Sequence, residues 1–186
     1  MPYEPFLERF GELAWKETRS VTVFENHPAL PADEYGLIEL YCNDEACDCR
    51  RVMLDVVSRQ LNKSVAVVAY GWENAAFYAR WFGQSDPKII KEMQGPELNL
   101  GSPQSKLAPA ALELVKDVLK DQNYVARIKR HYKLFKERID RKPAQIITRP
   151  EIPALPELPA TLISPVLPEH STKKSRKHRH ISSGKG

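Results

Sequence analysis

The sequence predicts an α+β domain over residues 1–142, with a four-stranded antiparallel sheet covered by helices and a disordered C-terminal tail over 143–186. Three observations carry this reading. Four runs rich in β-branched and aromatic residues follow one another within the first seventy positions. Helical periodicities take over afterwards. Near Lys142 the composition changes: seven of the fifteen prolines lie in 143–186, a stretch with no Phe, Tyr or Trp.

In chain order, Phe6, Leu7, Phe10, Leu13 and Ala14 recur at helical spacing, so residues 4–16 read as a short amphipathic helix with Gly11 as its weak point. The four strands are Arg19–Phe24, Gly36–Cys42, Val52–Ser58 and Ser64–Tyr70, joined by connections short enough for antiparallel neighbours. Glu73–Phe82 then reads as a helix whose aromatics (Phe77, Tyr78, Trp81 and Phe82, with Trp72 just before) are expected to cover one face of the sheet. Asp86–Met93 is a further short helix, with Asp86 capping and Pro87 in the first turn. Gln94–Gln104 holds two glycines and two prolines and is a loop. Leu107–Lys120 and Tyr124–Arg141 follow as two helices, or as one helix kinked at Asp121–Asn123. In the second, Val125, Ile128, Tyr132, Phe135 and Ile139 form one apolar stripe. The opposite face carries Arg127, Lys129, Arg130, Lys133, Lys136 and Arg138. That face is either solvated or a phosphate-binding surface.

All three cysteines fall within eight residues, Cys42, Cys47 and Cys49, at the predicted tip of a hairpin. A tip loop can curl three thiolates around one ion while the strands hold its ends, and zinc is the usual guest in a reduced compartment. Structural zinc takes four ligands. Within the motif the fourth is Asp44, Glu45 or Asp48; outside it, His27 is the expected ligand, if its loop lies at the same end of the sheet. Arg50 and Arg51 would offset the charge of the thiolates. Two other readings stay open: a redox pair at Cys47-x-Cys49, and buried reduced thiols or a Cys42–Cys49 bond across the hairpin. His131, set between basic residues, is expected to be an exposed side chain.

The charge balance restricts the partners. Residues 143–186 carry seven Lys/Arg against three acids, a surplus equal to the +4 of the whole chain, so the body is neutral. Only the tail gives an overall electrostatic reason to expect nucleic acid. Met1–Trp15 is interrupted by acids and lacks the apolar run of a secretory signal, and no stretch is long and apolar enough for a membrane span. The expectation is a cytoplasmic protein without membrane contact, its thiols reduced. No GxGxxG, GxxxxGK[ST], GxSxG or HExxH pattern occurs, and no nucleophile, base and oxyanion hole assemble in the sequence.

In the tail, Pro150, Pro153, Pro156 and Pro159 recur every third residue, the period of polyproline II. Ile152, Leu155 and Leu158 then form an apolar edge, either for docking or as part of a plain spacer. Lys173, Lys174, Arg176, Lys177 and Arg179 form a basic cluster suited to salt-sensitive polyanion binding.

Leu40–Val52 (LYCNDEACDCRRV), Val68–Gly83 (VAYGWENAAFYARWFG), Gly95–Ser105 (GPELNLGSPQS) and Arg127–Ile139 (RIKRHYKLFKERI) together resemble, in this order, an uncharacterised bacterial protein family. Some of its members carry a C-terminal SEC-C zinc motif. In this chain His178-Arg179-His180 stands where that element has Cys-x-Cys, and the terminal cysteines are missing, so the tail is not expected to bind zinc. The resemblance implies no activity. From the residues, the expectation is a non-enzymatic zinc-binding interaction module whose tail contacts a protein partner or nucleic acid. The alternative is a metal- or thiol-dependent enzyme centred near the hairpin and the Trp72/Trp81 aromatics. The module predicts a closed metal site; the enzyme predicts an open coordination position with a pocket beside it.

Overall fold

Alternation along Asp33–Cys42 decides the layout of the molecule. Tyr35, Leu37, Glu39 and Tyr41 are buried on one side of this strand, while the residues between them are half-buried. The computed structural model describes residues 3–25, 27 and 29–140. Its elements are β1 (Tyr3–Pro5), α1 (Phe6–Arg9), α2 (Gly11–Glu17), β2 (Arg19–Val23), β3 (Asp33–Cys42), β4 (Arg51–Ser58), β5 (Lys63–Gly71), α3 (Ala75–Phe82), α4 (Pro87–Gln94), β6 (Glu97–Leu98), α5 (Ala108–Val118) and α6 (Gln122–Asp140).

The α+β class and the antiparallel sheet are as expected, but the sheet has six strands, not four. The two additions, β1 and β6, are three and two residues long, too short to show any periodicity. Beyond β3 the sheet continues through β4 and β5 to β6, and both β1 and β2 pair with β3 on its other edge. Tyr3 faces Cys42 and Pro5 faces Leu40; Arg19 then faces Leu37 and Val23 faces Asp33. β1 and β2 are thus two halves of one edge strand, interrupted where α1 and α2 leave the sheet between Leu40 and Leu37. The single helix expected over 4–16 is broken at Phe10, whose φ of −132° and ψ of 44° end α1 before Gly11 opens α2.

The register places Leu54 opposite Glu39 and Val56 opposite Leu37 on β4, and Val68 and Ala66 beyond them on β5. With Tyr35 and Tyr41 these side chains form the face that α5 and α6 cover, and they share a core with Leu112, Val115, Tyr124, Ile128 and Phe135. Each buried side chain of Val, Leu or Phe size contributes about 1.5–3 kcal/mol. On the opposite face Met53, Ala69, Tyr78 and Ile90 are buried where α3 and α4 pack. Gly71 is required there, because a Cβ would overlap the Tyr78 hydroxyl and approach the Met93 carbonyl. Of the aromatics on α3, Tyr78 alone is fully buried; Phe77 and Trp81 are half-buried and Phe82 is exposed.

Local signals stop and start the helices. Asn74 accepts a hydrogen bond from the Phe77 N–H, Asp86 caps α4, and Gly83 ends α3 with φ +73°. Asp121 accepts from the N–H groups of Asn123 and Tyr124, so 107–141 is two helices with a break before α6. The loop after β6 seals the edge of β5: the Gln104 side chain bonds both the N–H and the C=O of Val67. This leaves fewer open strand groups for pairing with another chain. The polyproline, basic-cluster and disorder expectations for 143–186 lie outside the described residues.

Candidate metal centre

The connection between β3 and β4 carries the three cysteines. Asp44 shapes its tip, accepting from the Ala46 N–H on the side chain and from the Cys47 N–H on the backbone. Arg50 brings the chain back into β4 with φ +47°, a backbone conformation that non-glycine residues rarely adopt. Two helices pin it there: its N–H donates to the Tyr132 hydroxyl on α6 at 3.3 Å, and its carbonyl accepts from the Tyr78 hydroxyl on α3 at 2.9 Å. The Arg50 guanidinium pairs with Asp48 and Glu73 and lies over the Phe77 ring. Tyr132 also donates to Asp48, and Lys136 donates to the Asp44 carbonyl at 2.6 Å. The loop is therefore held at both flanks by α3 and α6.

This clamp brings Cys42, Cys47 and Cys49 together, with one sulfur of each within 4.8 Å of the others. Tetrahedral zinc with Zn–S bonds of about 2.3 Å needs sulfurs roughly 3.8 Å apart, so the donor set fits a thiophilic ion. No disulfide joins them. Cys42 and Cys49 have no exposed surface and Cys47 is half-buried. Burial raises the Cys47 thiol well above its ordinary range, and the neighbouring Cys49 and Cys42 add to the effect. Cys49 is raised by burial and by Cys42, against the opposing Arg51 N–H and guanidinium. Reactive thiols are lowered rather than raised. Without a cation the Cys47 and Cys49 sulfurs are held as thiols; a bound cation reverses that preference.

Arg51 stands beside the cluster, 8% exposed. Its guanidinium reaches the Glu92 carbonyl at 3.3 Å and the Met93 sulfur at 3.4 Å, and Nε has no partner. Among the described residues it makes no ion pair with a carboxylate. Arg50, by contrast, is paired with two acids, Asp48 and Glu73. Tyr3 lies opposite Cys42, and its hydroxyl is pushed up by burial and by Cys49.

The expected fourth ligand is not brought to the site. His27 follows β2, at the Asp33 end of β3, whereas Cys42 lies at the opposite end of that ten-residue strand. At about 3.3 Å per residue the two ends lie roughly 30 Å apart. Successive hairpin turns of a meander fall at opposite ends of the shared strand, so this placement was legible in the element order. His27 instead caps its own turn, its Nδ1 accepting from the N–H groups of Ala29 and Leu30. Asp44 and Asp48 are engaged as described, and no His, Asp or Glu among the described residues joins the three sulfurs. An open groove of about 350 Å³ runs past Cys47, lined by Asp48, Tyr132, Lys133 and Lys136 together with Glu45 and Glu137.

The basic face of α6 is partly committed. Arg130 pairs with Glu17, Arg127 lies over the Tyr124 ring, and Lys133 is exposed. Lys173, Lys174, Arg176, Lys177 and Arg179 lie outside the described residues. Trp72 packs edge-on against Tyr132 at 5.2 Å, which brings that aromatic next to the cysteine loop; Trp81 stacks on Phe82.

His131 is a correction: it is 1% exposed. Its Nδ1 lies 2.7 Å from Glu39 Oε2 and its Nε2 2.9 Å from Glu17 Oε2. The imidazole thus bridges the two carboxylates, one ring nitrogen to each. Tyr41 donates to the same Glu39 oxygen at 2.6 Å, and Phe6 stacks on the imidazole. The network fills the gap where α1 and α2 leave the sheet. Its signal was available, because His131 falls three residues after Ile128 and four before Phe135, on the apolar stripe.

No protein-family model, curated protein or solved structure matches the chain.

Proposed function

We propose that Cys42, Cys47 and Cys49 bind one zinc-type ion, and that the protein is a non-enzymatic interaction module whose Pro-rich, basic tail contacts a protein or nucleic-acid partner. The observation that carries the metal reading is a three-sulfur cluster beside a buried arginine that pairs with no carboxylate among the described residues. Isolated buried charge is expensive. Three thiolates on a divalent ion leave one net negative charge, and Arg51 balances it; three neutral thiols would leave the guanidinium uncompensated. Because such a site does not exist in the unfolded chain, its binding energy is folding energy.

The test is elemental mass spectrometry of protein purified without an affinity tag, alongside a thiol titration. About one zinc per chain with thiols that resist titration supports the reading. A fully folded, metal-free protein with three readily titrated thiols sinks it. For the tail, Lys133→Glu combined with deletion of 173–186 should flatten the salt dependence of nucleic-acid binding, and an unchanged slope counts against that partner.

The groove beside Cys47 favours a second reading, a metal- or thiol-dependent enzyme with its site near the cysteine hairpin and the Trp72/Trp81 aromatics. An enzyme needs an exchangeable coordination position, whereas a structural staple needs a closed one.

A further inference from the structure

We infer that the fourth coordination position of the Cys42–Cys47–Cys49 ion opens into the groove beside Cys47 and takes an exogenous low-molecular-weight thiol. This rests on the metal reading above.

The first ground is a shortage of protein donors. No histidine or carboxylate among the described residues shares the cluster. Of the loop acids, Asp44 caps Ala46, Asp48 is bound by Arg50 and Tyr132, and Glu45 lines the groove without joining the three-sulfur cluster. His27 lies at the other end of β3. Four-coordinate zinc with three protein ligands completes its shell with water or a substrate.

The second ground is access. Cys42 and Cys49 have no exposed surface, so the cluster meets solvent where Cys47 lines the groove. Its volume of about 350 Å³ falls within the range of roughly 300–1,000 Å³ typical of small-molecule sites. The clamp formed by Tyr132, Lys136 and Tyr78 holds the loop from its flanks.

The third ground selects the ligand class. Three thiolates make the ion electron-rich and soft, which favours a fourth sulfur over a hard oxygen ligand. On binding, the incoming thiol releases its proton to solvent, its sulfur forms the metal bond, and the water in the fourth position leaves. The centre then gains a second negative charge. Buried Arg51 and the ammonium groups of Lys133 and Lys136 offset it; of the groove carboxylates Asp48 is already paired with Arg50, which leaves Glu45 and Glu137 against these three cations. Charge therefore permits a thiolate at this position.

The experiment uses the full chain loaded with cobalt(II), whose absorption reports both geometry and sulfur ligation. 2-Mercaptoethanol is titrated in, with acetate and imidazole as comparison probes, and retention of cobalt is followed by ultrafiltration. The expected result is a tetrahedral spectrum whose sulfur-to-cobalt charge-transfer band grows and saturates with 2-mercaptoethanol, with cobalt retained. Lys133→Glu should weaken that response about threefold or more, from loss of one favourable and gain of one unfavourable charge near the surface, without altering cobalt uptake. A tetrahedral spectrum indifferent to every probe means a protein donor closes the site and overturns the inference while leaving the metal reading intact. A response to acetate or imidazole but not to the thiol overturns the ligand class. Failure to bind cobalt at all overturns the metal reading, and the inference with it.

Discussion

Replacing His131 by alanine should destabilise the fold by about 3–5 kcal/mol, the combined cost of emptying a buried ring-sized space and leaving a buried polar partner unsatisfied. The magnitude follows from what the substitution leaves behind. Glu39 is 6% exposed, and its Oε1 already has no partner. Without the imidazole its charge is supported by the Tyr41 hydroxyl alone. The stacking surface under Phe6 is lost as well. Against a total stability of about 5–15 kcal/mol this is a large fraction. For a body of this size it corresponds to a fall in Tm of roughly 10–20 °C. Urea and thermal unfolding at neutral pH measure it. Glu39→Gln in the same background should recover part of the loss, because it removes the stranded charge. A loss below about 1 kcal/mol for His131→Ala, or strict additivity in the cycle, refutes the reasoning. The pH dependence supplies an independent check through Glu17. Burial alone raises its carboxyl, but the bond from His131 and the positive charges of Arg130 and His131 outweigh that and hold it below the ordinary value of 4.5. A depressed folded value means that the stabilisation is complete above the unfolded value and disappears as the pH falls through the folded one. Stability should therefore drop on acidification below about pH 4.5, and less steeply in Glu17→Gln.

The remaining expectations concern the clamp and the metal. Arg51→Met should lower zinc affinity about 10–100-fold, the usual effect of losing a supporting partner; competition with a chromophoric chelator measures this, and an unchanged affinity would count against the charge argument. Cys49→Ser should abolish stoichiometric zinc and make the hairpin amides between 43 and 50 exchange faster by hydrogen exchange, with α5 protected as before. Gly71→Ala should cost about 1–3 kcal/mol through overlap with Tyr78, read as a shift in the urea midpoint; a neutral result would mean that α3 yields easily.

Much of the body was legible along the chain because the forces that shape it are local. β3, β4 and β5 are long enough for alternation and β-branched residues to show, and Asn74, Asp86, Asp121 and Gly83 mark helix boundaries through bonds to their own neighbours. The cysteines were legible as a cluster for a similar reason: eight residues of hairpin cannot place three thiols far apart. Other features depend on what packs against what. β1 and β6 exist as strands only because β3 and β5 offer them open edges. Arg51 and Arg50 are adjacent and chemically alike, yet Arg51 opens β4 and turns into the protein, while Arg50, in a left-handed conformation before the strand, reaches Asp48 and Glu73. His131 reads as one more polar residue in a basic run until Glu39 from β3 and Glu17 from α2 meet its two nitrogens across more than ninety residues of sequence. The sequence by itself determined the α+β class, the central strands and the local thiol cluster, because short-range periodicity and chain connectivity suffice for these. Only the tertiary structure decided the interrupted edge strand, the removal of His27 from the metal site, and the burial of Arg51 and His131, because each depends on partners supplied by a distant part of the chain.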